Sequence, residues 1–132
     1  MHECPIKPDE FKSLAEEVLT SGRILRFQAR GGSMMPFIWD GDILEVHPIG
    51  KKAIRKGDVV LFDMDGHIAA HRVKVVGVFN NYDALISQGD ALRYTDGWIS
   101  FDKVLGRVVA LERNHKRISI DTGYMRFLAA LW

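Results

Sequence analysis

The spacing of apolar residues changes once along this chain. From Pro8 onward Phe11, Leu14, Ala15, Val18 and Leu19 recur at intervals of three and four, and Ser21-Gly22 ends the run. That spacing lays one apolar stripe along a helix of about three turns. From Ile24 the period shortens to short runs rich in Val, Ile, Leu and Phe, separated by Gly-Asp, Asp-Gly and Asn-Asn pairs. These runs predict strands over 24–29, 43–48, 58–63, 67–79, 84–88, 104–113 and 117–120. Met64-Asp65-Gly66 and Asn114-His115-Lys116 read as hairpin turns. Tyr124, Phe127, Leu128 and Leu131 return to helical spacing and predict a short closing helix over 122–132. One helix ahead of many short strands predicts a mostly β, α+β fold with a curled or barrel-like sheet, rather than alternating parallel α/β.

Composition narrows this picture without changing it. The 132 residues are 47% hydrophobic, enough to bury a core without staples, and no repeat or linker divides them, so a single domain over 1–132 is expected. Cys4 is the sole cysteine, which excludes a disulfide within the chain. Eighteen Lys and Arg against seventeen Asp and Glu leave a net charge of +1, scattered along the chain, and this speaks against nucleic acid as a partner. The longest apolar runs, 34–39 and 127–132, fall far short of the roughly 20 residues a spanning helix needs. The opening Met-His-Glu-Cys-Pro lacks the basic and apolar regions of an export signal. A cytoplasmic chain is expected, or one brought to a membrane peripherally, by a partner subunit or by a segment not present. His2, Cys4, His47, His67 and His115 make no ligand pair at zinc spacing, so neither metal nor other cofactor is expected.

Three segments place reactive side chains in apolar strand-and-turn context. In Gly31-Gly32-Ser33-Met34-Met35-Pro36, the glycines allow a sharp turn and close approach of another chain, while Met34, Met35 and Phe37 offer an adaptable apolar wall. In Ile68-Ala69-Ala70-His71-Arg72-Val73, a strand histidine can act as a general base, because a histidine side chain ordinarily titrates at about pH 6.5. In Gln88-Gly89-Asp90-Ala91-Leu92-Arg93-Tyr94-Thr95-Asp96, either of two acids can orient an imidazole. Taken singly, each segment also has a plain structural reading: a turn, a half-buried strand histidine and turn-forming aspartates. Asp40 and Asp42 read as turn-shaping acids, and Lys51-Lys52 with Arg55-Lys56 as a solvated basic loop.

As an ordered set, Gly-Ser-Met-x-Pro, Gly-Asp, Lys-Gly-Asp-Val-Val, His-Arg-Val, Gln-Gly-Asp and Leu-Gly-Arg-Val resembles the signal peptidase I family over about 31–108. The likeness extends to the clan that includes the LexA-type self-cleaving repressors, with their mostly β catalytic fold. The resemblance implies Ser33 as nucleophile and His71 as base, matching the histidine-using archaeal and endoplasmic-reticulum branch rather than the lysine-using bacterial one. It also implies Asp96 as the orienting acid, with Asp90 a second candidate that structures the loop. Gly32, Met34, Met35 and Phe37 are then expected to line the peptide-binding surface, with a lipid contact or plain core packing as the other readings of the apolar patch Met34, Met35, Phe37 and Trp39. Signal peptidases carry a hydroxyl residue two places before the nucleophile, where this chain has Gly31. They are also anchored by an apolar helix that this sequence does not contain.

The function expected on these grounds is a soluble serine endopeptidase that cuts an extended peptide or protein substrate after small residues. Two alternatives stand beside it: a LexA-type domain that cleaves its own chain, and a peptide-binding module that keeps the fold without catalysis. Only about thirty residues with one helix precede Ser33, too few for an upstream helix-turn-helix in this sequence.

Overall fold

A computed structural model describes residues 8–50 and 53–120, with side chains from residue 11 onward. The predicted helix over 122–132, and Lys51, Lys52, His2 and Cys4, lie outside the described residues. Helix α1, Pro8–Thr20, occupies the stretch with helical spacing. It is followed by strands β1 (Leu25–Gln28), β2 (Ile43–His47), β3 (Val59–Met64), β4 (His67–Phe79), β5 (Tyr82–Gln88), β6 (Trp98–Ser100), β7 (Val104–Arg113) and β8 (Lys116–Ser119). All pair antiparallel in one curled sheet of order β1-β2-β7-β3-β4-β5-β6, and β8 hairpins back onto β7. The expected mostly β, α+β architecture is what forms.

Three hairpins are closed by residues that accept left-handed backbone. Asp65, Asn80 with Asn81, and Asn114 with His115 all have φ between 51° and 67°. Asn and Asp tolerate this region because their short side chains bond locally, and such turns match the twist of paired strands. The Asn80-Asn81 turn lets β5 begin at Tyr82, two residues earlier than its apolar run suggests. Strand β6 and the 3-10 turn Phe101–Lys103 that follows it are additions to the pattern read from the sequence.

The sheet separates two apolar clusters. Strand β3 sits between β4 and β7, and its unbroken apolar run supplies both: Val59 and Leu61 to one, Val60 and Phe62 to the other. A strand covered on both faces needs no polar alternation. The first cluster takes Ala15 and Leu19 of α1 together with Leu44, Val46, Met34 and Ile38. The second takes Ile54, Val73, Leu85, Phe101 and Val104. Lys12 on α1 reaches Asp63 of β3 at 2.9 Å, fixing the helix over the sheet. Among the described residues, no helix is long and apolar enough to cross a membrane.

The link between β1 and β2 is a loop with no regular structure, pinched at its base by Ala29 N–H to Asp42 O and Gly41 N–H to Ala29 O. Beyond the pinch, Arg113 of β7 donates to both carboxylate oxygens of Asp42 at 2.9 and 2.7 Å, donates to the Phe37 carbonyl, and stacks 4.0 Å over the Trp39 ring. Burial pushes the Asp42 carboxyl up. The Arg113 hydrogen bonds, the Trp39 N–H and the Arg113 charge outweigh it, and the net shift is below the usual carboxylate range. Asp63 is also held low, chiefly by the Lys12 hydrogen bond and then by the Gly66 N–H.

A carboxyl with a depressed folded-state pKa stabilises the fold above its unfolded value of about 3.9, and that stabilisation is lost as pH falls through the lower folded value. Chemical denaturation should therefore show stability declining below about pH 4. Asp42→Asn should cost about 1.5–3 kcal/mol at neutral pH, the range for hydrogen bonds to a charged group, and should flatten that acid decline.

Candidate active site

Side chains from three separate segments meet at the edge of the second cluster. His71 lies in β4 opposite Val60 and is 6% exposed, with the Phe62 ring edge-on to its imidazole at 5.8 Å between centroids. Its Nδ1 is 2.7 Å from Asp96 Oδ2, and its Nε2 is 3.2 Å from Ser33 Oγ. A carboxylate can only accept, so the proton on this side of the ring sits on Nδ1. With that tautomer Nε2 is free to accept from the Ser33 hydroxyl. The structure thus joins Ser33, His71 and Asp96 in one line of hydrogen bonds.

Adjacent residues on a strand point to opposite faces, so Arg72 turns away from His71. Its side chain is 1% exposed. Two of its nitrogens hold the two carboxylate oxygens of Asp90, each at 2.8 Å, a third donates to Gly57 O at 2.9 Å, and the Phe37 ring lies 5.1 Å from the guanidinium carbon. A buried guanidinium matched by a bidentate carboxylate is a fixed joint between β4 and the turn after β5. Asp90 is therefore engaged by Arg72 and not by His71, and of the two acids Asp96 is the one on the imidazole.

Asp96 is held by the end of β5. Its N–H donates to Ser87 O at 2.8 Å, and the Ser87 hydroxyl donates to its Oδ2 at 2.6 Å. Ser33 is held from the same connection, since its carbonyl accepts the Ala91 N–H at 2.8 Å. Gly89 makes this approach possible. A Cβ at that position would lie 2.6 Å from the Ser33 carbonyl oxygen and 2.9 Å from Leu92 Cδ1. Gly31, at φ +85°, turns the chain into the loop, and its N–H is capped by Asp40 Oδ1 at 2.7 Å. Asp40 and Asp42 both shape this loop, as the sequence suggests.

The four residues expected to line a peptide-binding surface part company here. Met35 is 39% exposed and Gly32 is exposed beside Ser33. Phe37 is half-buried under Arg72. Met34 is corrected from surface to core: it is 4% exposed, packs in the first cluster, and its sulfur accepts the Asp90 N–H at 3.4 Å. Its position in a turn hides an apolar side chain that the loop tucks inward. Ser87 and Arg72 escaped the sequence reading as site residues. For Arg72 the signal was present, since strand alternation sends a residue beside His71 to the far face. Among the described residues, no group of three or more His, Cys, Asp or Glu is placed to hold a metal ion.

The two acids should separate cleanly in urea denaturation. Asp90→Ala strands a buried guanidinium and should cost about 3–5 kcal/mol. Asp96→Asn leaves no buried unpaired charge and should cost clearly less. Gly89→Ala should leave a folded protein in which the Ser33 backbone has moved, read as altered amide shifts at Ser33 and Ala91.

The ordered segments that carry Ser33, His71, Asp90 and Asp96 fall within a single stretch of chain that matches one protein-family model, described as Peptidase S24-like, over residues 5–109. A comparison with curated proteins finds no match. With well over half of its length matched, this chain belongs to the Peptidase S24-like family.

Proposed function

We propose that this protein is a serine endopeptidase with Ser33 as nucleophile, His71 as general base and Asp96 as the acid that orients it. The observation that carries the reading is the continuous line Asp96–His71–Ser33, with 2.7 Å at one end of the imidazole and 3.2 Å at the other. Ser33 Oγ attacks the scissile carbonyl as His71 Nε2 takes its proton, and the same proton passes to the leaving amine. Asp96 keeps Nδ1 protonated and stabilises the imidazolium that forms. Among the described residues the Ser33 N–H meets no acceptor, which suits it to the developing oxyanion, and Gly31 supplies no hydroxyl for that task.

The substrate in this reading is an extended peptide cut after small residues, as the resemblance to the histidine-using signal peptidases implies. Ser33 is half-buried while Gly32 and Met35 beside it are exposed, so peptide reaches the hydroxyl from the loop side. The family match supports a peptidase in general terms and is equally compatible with cleavage of the protein's own chain.

Mass-spectrometric profiling of a diverse peptide library against wild type, Ser33→Ala and His71→Ala tests the proposal. Cuts after small residues should appear with wild type and fall by on the order of 10⁴-fold or more in either folded variant. Products that persist in Ser33→Ala would overturn it. A serine-dependent change in the protein's own intact mass, without peptide products, would replace it with self-cleavage.

A further inference from the structure

Asp96 Oδ2 is a shared acceptor. The oxygen that takes His71 Nδ1 at 2.7 Å also takes the Ser87 hydroxyl at 2.6 Å, and Ser87 is 0% exposed. We propose that Ser87 is a positioning residue of the catalytic unit, acting through Asp96; the inference rests on the reading of Ser33, His71 and Asp96 given above.

Asp96 leaves no regular element to stand on, because it lies in the connection between β5 and β6 rather than on a strand. A carboxylate on such a connection can rotate and can slide. Ser87 removes both freedoms from the end of β5. Its carbonyl accepts the Asp96 N–H and fixes the backbone, while its hydroxyl donates to a carboxylate oxygen and fixes the torsion of the side chain. A short hydroxyl-to-carboxylate bond in a site closed to water is among the stronger hydrogen bonds available. It also supplies a second donor to the charge that Asp96 carries beside His71, where the Asp96 side chain is only 8% exposed and has little solvent. The Ser87 hydroxyl bonds Asp96, not His71 or Ser33. Its influence on the imidazole passes wholly through Asp96.

That dependence makes the proposal separable from a general packing role. Ser87→Ala should lower kcat on the order of 10- to 100-fold, the penalty for a misplaced catalytic group, with KM within about twofold. The same substitution in an Asp96→Asn background should lower kcat no further, since the residue it acts through is already lost. Ser87→Cys keeps the volume with a weaker donor and should fall between Ser87→Ala and wild type; it also serves if the alanine variant does not fold. Independently of any substrate, the downfield proton resonance of His71 Nδ1–H should be present in wild type, shifted or lost in Ser87→Ala and partly retained in Ser87→Cys. A full Ser87→Ala effect that persists with Asp96→Asn would overturn the inference, as would an unchanged resonance. Absence of serine-dependent hydrolysis in wild type would instead remove the reading of the enzyme, while the resonance still decides whether Ser87 holds Asp96 on His71.

Discussion

Two adjacent residues of β4 grip the two ends of one connection, and the rest of the site depends on that division. Because strand neighbours face opposite ways, His71 looks into the second cluster and Arg72 into the first. The turn after β5 crosses the sheet edge so that Asp90 meets Arg72 and Asp96 meets His71. The Arg72–Asp90 pair is almost wholly removed from water, with 1% and 3% exposure, and must be complete to be tolerable. Once it forms, the start of the connection is fixed, Gly89 and Ala91 lie against the Ser33 backbone, and the reach to Asp96 is set. A joint that carries no chemistry itself thus determines where the proposed chemistry can occur.

Much of this fold was legible because its periods are strong. The helical spacing of Phe11 to Leu19 and the runs in β2, β3, β4 and β7 each signal one element; β4 and β7 keep the predicted ends, and β2 and β3 differ by one residue. Trp98-Ile99-Ser100 gave no such signal. Three residues cannot establish a period, and β6 exists because it pairs with Ala84, Leu85 and Ile86 of β5, a contact visible only in three dimensions. The early start of β5 at Tyr82 likewise belongs to its pairing with Phe79 across the Asn80-Asn81 turn.

The site was legible in its residue types and not in its wiring. Spacing alone left Asp90 and Asp96 as equal partners for the imidazole, since both sit in one turn-rich connection. The strand alternation of His71 and Arg72 distinguishes them, because a buried arginine on the far face demands its own carboxylate. Met34 is a second case in which residue type leaves two readings and the wiring decides. In a Gly-rich loop it reads as adaptable surface, yet the loop folds back on itself through Met35 N–H to Gly32 O and Ile38 N–H to Met34 O, and these bonds turn Met34 and Ile38 inward together.

The loop that carries Ser33 has no strand or helix to stiffen it, and side chains take over that work from both flanks. Arg72 lies against the Phe37 ring on one side, while Arg113 on the other stacks on Trp39, chelates Asp42 and bonds the Phe37 carbonyl. The planar guanidinium suits this task, since it can stack on a ring and saturate a carboxylate in one geometry where an ammonium offers only a point charge. Arg113 lies at the end of β7, outside the stretch that matches the family. The rigidity of the Ser33 loop therefore draws on residues beyond the matched segment. Arg113, Asp42 and the loop base at Ala29 thus tie the start of the β7–β8 hairpin to the loop that carries Ser33 by hydrogen bonds, and none of the three belongs to the proposed catalytic line.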